Sequence, residues 1–454
     1  LLGDVSLIFT NPAGLTRVFS LYVAPGANER LFGQTKEFPG LSASADVFAR
    51  SMRNKTCLLA AGSEVMLRHA TTESLRWSTT LDFTPTHALI SSKYDRVAFL
   101  GDDSKIHLFT LDDPHPESSL KALFGKVWYE GYPEPAYEWQ STGGTDEFEP
   151  KLSMVPLIFG TLKGTFYAML FAVPIAIAAA LYTSQFATPG MRVVIKPVME
   201  IMATLPSVVL GFLAALWLAP LIENRIPSLL VCAIVIPAFA MAVGYGISKM
   251  PIRYRTLVKP GYEFLLFVPL FILVGMICWK LGIGLEKLLF AVTDPVTGER
   301  VADFRLWWPE FTGADYQQRN SLIVGFAMGF AVIPIIFTIA EDSLSNVPVA
   351  LRSGSMALGA SRWQTAIRIV LPTASAGIFS ALMIGLGRAV GETMIMVMAT
   401  GNTPIMDLNI FNGMRTLSAN IAVELPEAPQ HGTLYRTLFL GGLVLFILTF
   451  FINT

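Results

Sequence analysis

Hydrophobic and polar positions follow two different patterns along the chain. Up to about residue 150, apolar and polar residues alternate over short stretches broken by polar turns. LIFTNPAGLTRVFSLY from Leu7, LLAAGSEVMLRHA from Leu58 and AFLGDDSKIHLFTLDD from Ala98 each predict a β-hairpin. The second and third begin 40 residues apart, and the first lies about 50 before the second, close to the blade period of a β-propeller. Residues 1–150 are therefore expected to form a β-rich domain, either a partial propeller or an ordinary antiparallel sheet. Three hairpins cannot close a ring, so further blades are expected in sequence before Leu1.

From about Met154 the apolar runs lengthen to roughly 20 residues, enough at 1.5 Å per residue to cross a hydrocarbon core of about 30 Å. Seven spans are expected, at 154–184, 197–221, 227–248, 262–282, 320–342, 374–400 and 434–453. Residues 151–454 thus read as an α-helical polytopic membrane domain. Composition agrees: 53% of the 454 residues are hydrophobic and 15% charged, outside the range of soluble domains. The chain starts without methionine and stops inside an apolar run, so both ends are expected to continue.

Charge gives the orientation. The connections 185–196, 249–261 and 343–373 carry Arg192, Lys196, Lys249, Arg253, Arg255, Lys259, Arg352, Arg362 and Arg368 and no acidic residue. The alternate connections hold six basic and ten acidic residues. The first set is expected to face the cytoplasm, which places residues 1–150 outside it, in a multi-pass inner-membrane protein.

Two stretches carry candidate chemistry. GLGRAVGETMIMVMATGN, Gly385 to Asn402, sets Arg388 and Glu392 inside an expected span. Facing lipid, either charge costs at least about 2.5 kcal/mol, so both are expected to face protein or a wet cavity. A spacing of four puts them on one helix face, where they can pair. The pair could only lock helix packing, or Arg388 could offer a forked donor to an oxyanion in transit while Glu392 orients it and keeps binding weak. Gly385, Gly387 and Gly391 add a small-residue surface for close helix approach.

The second stretch, Val347 to Gly377, is basic and amphipathic, with Leu351, Leu358, Trp363, Ile367 and Leu371 near helical spacing and Gly359 as a break between two short helices. It could lie on the membrane surface or dock in a groove on a partner. Gly359 followed after nine residues by Ile369, Val370, Leu371 and Pro372 resembles the loop signature of ABC importer permeases. The usual opening Glu-Ala-Ala is replaced by Ser353, Gly354 and Ser355. GRAVGETMIMVMATGN and ATLPSVVLGF, Ala203 to Phe212, are similar to spans of permeases from bacterial phosphate importers. The resemblance covers about Met154 to Thr454 apart from 227–282, and implies the ABC importer permease fold, with the β-rich domain as an extracytoplasmic insertion.

It further implies a translocation pathway at Arg388 and Glu392, and an ATPase coupling loop comprising Ser353, Gly354, Ser355, Met356, Ala357, Leu358, Gly359, Ala360, Ser361, Arg362, Trp363, Ile369, Leu371 and Pro372. The implied partners are a second, homologous permease, an ATPase dimer, a periplasmic phosphate-binding protein and membrane lipid. No nucleic acid is expected. No phosphate-binding G-x-x-x-x-G-K-[ST] loop occurs, so the chain is expected to hold no cofactor, with ATP and magnesium on the partner ATPase. The five histidines, His107, His115 and His431 among them, show no ligand spacing and read as surface residues; no metal site is expected. Trp307 and Trp308 read as an interfacial anchor in a loop before a span. An importer of another oxyanion or of phosphonate, a membrane-tethered sensor or scaffold, and a passive channel are the alternatives. The last two have no need of a docking loop.

Overall fold

A computed structural model of the chain describes residues 1, 5–24, 29–144, 148–249, 264–293 and 298–453. The basic positions Arg253, Arg255 and Lys259 lie outside the described residues. The chain divides into two units: Leu1–Ile158 with Glu424–Gly441, and Phe159–Val423 with Gly442–Thr454.

The first unit is built of antiparallel meanders. Strands β1 (Ser6–Thr10), β2 (Thr16–Val23) and β3 (Arg30–Phe38) form one sheet; β4 (Val47–Arg50), β5 (Thr56–Ala61), β6 (Glu64–His69) and β7 (Ser74–Thr80) a second; β8 (Pro85–Ile90), β9 (Arg96–Gly101) and β10 (Ile106–Thr110) a third. All three predicted hairpins pair antiparallel. In β5 every residue is buried and in β6 nearly every one. Both faces are therefore covered, which explains why Leu58–Ala61 and Val65–Leu67 run apolar without alternation. Gly62 opens the two-residue loop between them with φ +55, the sign that tight hairpin turns demand. Leu58, Val65, Leu67, Ile90, Val97 and Phe99 form the core. The Glu424 carboxylate accepts hydrogen bonds from Trp139 Nε1 (3.1 Å) and Ser141 Oγ (2.8 Å), fixing the C-terminal stretch of this unit to the segment 139–141.

His69 departs from the surface reading of the histidines. It is fully buried, with Nδ1 3.0 Å from Thr72 Oγ1 and Nε2 3.5 Å from Glu149 Oε1. It shares the parity of Val65 and Leu67 along β6, so the strand carries it to the same face as those core residues.

The described residues contain five helices long and apolar enough to cross a membrane, or up to seven if two bent pairs each count as a span. Helix α1 is Val155–Gln185, and the first bent pair is α2 (Pro189–Ala203) with α3 (Ser207–Glu223). Then follow α4 (Ile226–Lys249), α5 (Phe264–Leu289), the short α6 (Phe304–Thr312) and α7 (Ser321–Ser345). The second bent pair is α9 (Arg362–Thr373) with α10 (Ser375–Val390), preceded by α8 (Val349–Ala357). After it come α11 (Met394–Ala399), α12 (Leu417–Glu424) and α13 (Thr433–Asn453).

Three expectations are corrected here. The span expected at 197–221 is not one helix: α2 already runs through most of the expected loop 185–196, and the chain bends by 84° before α3. Leu205 precedes Pro206, whose ring disfavours helical geometry in the residue before it. The span expected at 374–400 is likewise broken, at Gly391–Thr393, between α10 and α11. Trp307 and Trp308 lie on α6, not in a loop. Trp308 packs edge-on against Phe411 (4.8 Å between ring centroids) and Trp307 stacks on Phe311 (4.7 Å).

Helix α7 is the centre of the second unit, with 67% of its most apolar window buried. Ala168, Ala172, Ala176 and Ala180 on α1, four residues apart and fully buried, make a ridge of methyls. Gly325 and Gly329 of α7 sit against this helix: a Cβ at Gly325 would lie 2.9 Å from Phe171 and one at Gly329 3.6 Å from the Ala168 carbonyl. Small residues on both sides permit the close approach that membrane helices use for packing. Helices α4 and α5, at 17% and 11% buried, pack chiefly on each other. Ser228 Oγ donates to the Trp279 carbonyl (3.0 Å), and a Cβ at Gly282 would lie 2.2 Å from Ser228 Cα. The two helices thus form a peripheral pair.

Candidate translocation site and docking loop

Helix α10 runs against α7. A Cβ added at Gly385 would lie 2.5 Å from Ile336 Cγ1, and one at Gly377 would lie 2.1 Å from Ser343 Oγ. Helix α10 ends at Val390, with Gly391 as its C-cap, and Thr393 opens α11. The Glu392 carbonyl, freed from the helical ladder, accepts from Ser418 Oγ at 2.8 Å. On the other side α3 buttresses the break, Gly211 lying so close that a Cβ there would be 3.0 Å from the Met394 carbonyl.

Arg388 and Glu392 therefore meet across a break and do not share a continuous helix face. Arg388 Nη2 is 3.5 Å from Glu392 Oε2, with the arginine side chain 49% exposed and the glutamate 4%. Glu392 is enclosed by protein, while Arg388 is half-exposed. Because the helix stops two residues before Glu392, the carboxylate turns inward while the guanidinium stays on the helix surface. Glu392 is the one ion-pair partner of Arg388 among the described residues. The remaining N–H groups of the fork are left available to an anion.

A second cation was not singled out by sequence reasoning. Lys163 on α1 is 3% exposed, and its ammonium has no hydrogen-bond partner among the described residues. One turn on, Tyr167 donates to the Leu408 carbonyl (2.6 Å). Asp407, beside Leu408, is held by the Asn409 amide and Asn412 Nδ2, both at 2.8 Å. The available signal is a single charge inside FGTLKGTFYAML, Phe159 to Leu170.

The docking-loop residues form a separate cluster at the other end of α10, whose 16 residues span about 24 Å. Helix α8 ends at Ala357 with Leu358 as its C-cap, and Gly359 follows with φ +91, a conformation that a β-branched side chain resists. Ser361 then starts α9 with a capping box: its hydroxyl accepts from the Gln364 amide (3.2 Å) and its amide donates to Gln364 Oε1 (2.8 Å). Met356, Leu358 and Trp363 are 45%, 91% and 61% exposed. Ser355, at the last position of the altered Glu-Ala-Ala, lies 3.0 Å from Thr365 Oγ1 and ties the two helices together. Ser353 returns its hydroxyl to the Val349 carbonyl (2.9 Å), and a Cβ at Gly354 would meet open space. Ile369, Leu371 and Pro372 follow on α9, where Ala366–Val370 form a turn of π-helix. Lys196 of α2 pairs with the buried Glu341 (2.6 Å) at the foot of α7.

Residues 238–454 match the family described as binding-protein-dependent transport system inner membrane component. The chain is 28% identical over 302 residues to the phosphate transport system permease protein PstC 1 of Mycobacterium tuberculosis, covering 66% of this chain and 69% of that one. It is 30% identical over 190 residues to the phosphate transport system permease protein PstA 1 of the same species, covering 40% of this chain and 61% of that one. Among solved structures, a bacterial ABC transporter that imports the acidic polysaccharide alginate aligns with 66% of this chain and 77% of its own at 16% identity and a TM-score of 0.35.

Proposed function

We propose that the chain, whose residues 238–454 match the binding-protein-dependent transport system inner membrane components, is the permease subunit of an ATP-driven importer that carries inorganic phosphate across the inner membrane. The observation that carries this reading is the asymmetric pair at the helix break. A half-exposed guanidinium tethered by a buried carboxylate presents a forked donor to a passing oxyanion. The carboxylate limits how tightly the anion is held, as conduction requires. The fork fits sulfate as well as phosphate, and the choice of phosphate rests on the relatives' names. Lys163 supplies a second positive charge on the route, at the level of the 403–412 loop.

Coupling runs through the docking loop. Met356, Leu358 and Trp363 present an apolar surface that fits a groove on an ATPase subunit, where ATP and magnesium are held. Helix α10 connects this loop directly to Arg388, so a push on α8 and α9 moves the helix that carries the anion fork. A second, homologous permease completes the pathway, and a phosphate-binding protein delivers the ion from outside. The acid-free basic connections favour a cytoplasmic docking loop, with the β-rich unit outside. The test is uptake of radiolabelled phosphate by cells producing the full chain with and without its ATPase. Uptake that needs the ATPase and is unaffected by excess sulfate supports the reading; uptake independent of the ATPase sinks it.

A further inference from the structure

A cavity of about 510 Å³ at the docking-loop end of the membrane unit is walled by Arg192, Arg352 and Arg362 together with Gln185, Thr188 and Thr365, and no carboxylate lines it. Two of the arginines occupy equivalent places in the fold. Arg192 donates through Nη2 to the Ser184 carbonyl eight residues earlier (2.6 Å), at the end of α1. Arg352 donates through Nη2 to the Leu344 carbonyl, also eight residues earlier (3.0 Å), and to the Ser345 and Val347 carbonyls (2.7 and 2.8 Å), at the end of α7. These bonds hold both guanidinium planes in place. Each leaves a buried Nε without a hydrogen-bond partner among the described residues.

Arginines that merely decorate a cytoplasmic edge extend into water and keep all five donors hydrated. These two do not. A pair of anchored, partly buried guanidinium groups, each with an unmet N–H, plus the exposed Arg362, places three positive charges around one concavity with no ion-pair partner among the described residues. The Thr188 hydroxyl, at the N-cap of α2 yet making no capping bond, adds a free donor beside them.

We propose that this cavity is a binding site for a phosphate group, taken either as the free ion or as the headgroup of an anionic lipid. A tetrahedral oxyanion with three or four acceptor oxygens accepts from Arg192 and Arg352 at once, and Arg362 closes over it. Occupied, the site ties the end of α1 to the start of α8. The chemistry stands on the cavity itself; only its placement on the cytoplasmic side rests on the permease reading.

The test uses the full chain purified in detergent. Equilibrium binding of radiolabelled inorganic phosphate and of a short-chain phosphatidylglycerol is measured on wild type, Arg362→Gln and Arg192→Lys. Arg362 makes no capping bond, so its variant folds normally; lysine at 192 keeps a donor for the Ser184 carbonyl while removing the fork. One ligand is expected to bind with an affinity that falls about tenfold in each variant, the effect of one lost charge-assisted hydrogen bond. The ligand that binds identifies the source. Binding of neither, or binding unchanged in both variants, overturns the site. Intact binding in a chain that supports no phosphate uptake would instead retire the transport reading and leave the site standing.

Discussion

Gly385 of α10 faces Ile336 of α7 so closely that an added methyl would lie 2.5 Å from Ile336 Cγ1 and 3.2 Å from Val332 Cγ1. The helix bearing the anion fork is therefore pressed against the central helix of the membrane unit, and the contact has no room for a side chain. Gly385→Val is expected to destabilise the protein by about 2 kcal/mol or more through overpacking. The readouts are membrane abundance and the thermal midpoint in detergent. Adding Ile336→Ala should recover most of the loss. A Gly385→Val protein of normal midpoint would mean the helices can separate freely.

At the docking loop, Gly359 holds φ +91 between α8 and α9, with open space around its Cα. Valine there clashes with nothing but must leave that conformation, at a cost of about 1–2 kcal/mol. Gly359→Val should reach the membrane in normal amount yet lose most phosphate uptake, because α8 is tilted off its partner. Gly359→Asn, which tolerates the left-handed region, should retain uptake. Equal uptake in the valine variant and wild type would remove the loop from the coupling path.

Lys163 gives a test independent of the Arg388 pair. Its buried ammonium has no hydrogen-bond partner among the described residues, and such a group destabilises a protein that does not use it. Lys163→Met should leave abundance unchanged or raise it while slowing phosphate uptake several-fold. If uptake stays normal, Lys163 is not on the route.

The β-rich unit has a pH signature. Burial pushes the His69 imidazole down from 6.5 to about 3, and pushes the Glu149 carboxyl up from 4.5 to about 7. As pH falls from 6.5 to 3, the unfolded chain gains a proton at His69 that the folded chain refuses, and stability drops. As pH falls from 7 to 4.5, the folded chain gains a proton at Glu149 that the unfolded chain does not, and stability rises. Each contributes about 1.4 kcal/mol per pH unit, so the two offset between 6.5 and 4.5, and His69 acts alone below that. Hydrogen exchange of the β6 amides in wild type should show a plateau from pH 6.5 to 4.5. In Glu149→Gln, opening should become easier from pH 6.5 downward. Identical profiles would exclude this balance.

Much of this was legible in the sequence. The hairpins follow from short apolar stretches broken by polar turns, the long helices from apolar length, and the turn between α8 and α9 from Gly359. The break before Glu392 was not legible, because the run through Ala399 stays apolar and its end depends on the Glu392 carbonyl finding Ser418, 26 residues away. The bend before α3 had a local sign in Leu205-Pro206, but a proline within an apolar run is common in membrane helices. Lys163 is buried by what packs against α1, and period and composition carry no record of that. His69 did have a sign, since it alternates in step with the core residues Val65 and Leu67 of β6.

The central claim is that Arg388 handles the anion and is not only a lock on the helix break, and one double substitution tests it most directly. Phosphate uptake is measured per molecule in the membrane for Arg388→Lys, Arg388→Ala and Arg388→Ala with Glu392→Ala. Lysine keeps the charge but lacks the planar fork. The account predicts low uptake at near-normal abundance for Arg388→Lys, and no recovery in the double variant, since removing the buried carboxylate does not return a donor. If the pair only locks packing, Arg388→Ala strands a buried carboxylate at a cost of about 3–5 kcal/mol and depletes the protein, while the double variant relieves that cost. Restored uptake in the double variant would contradict the account.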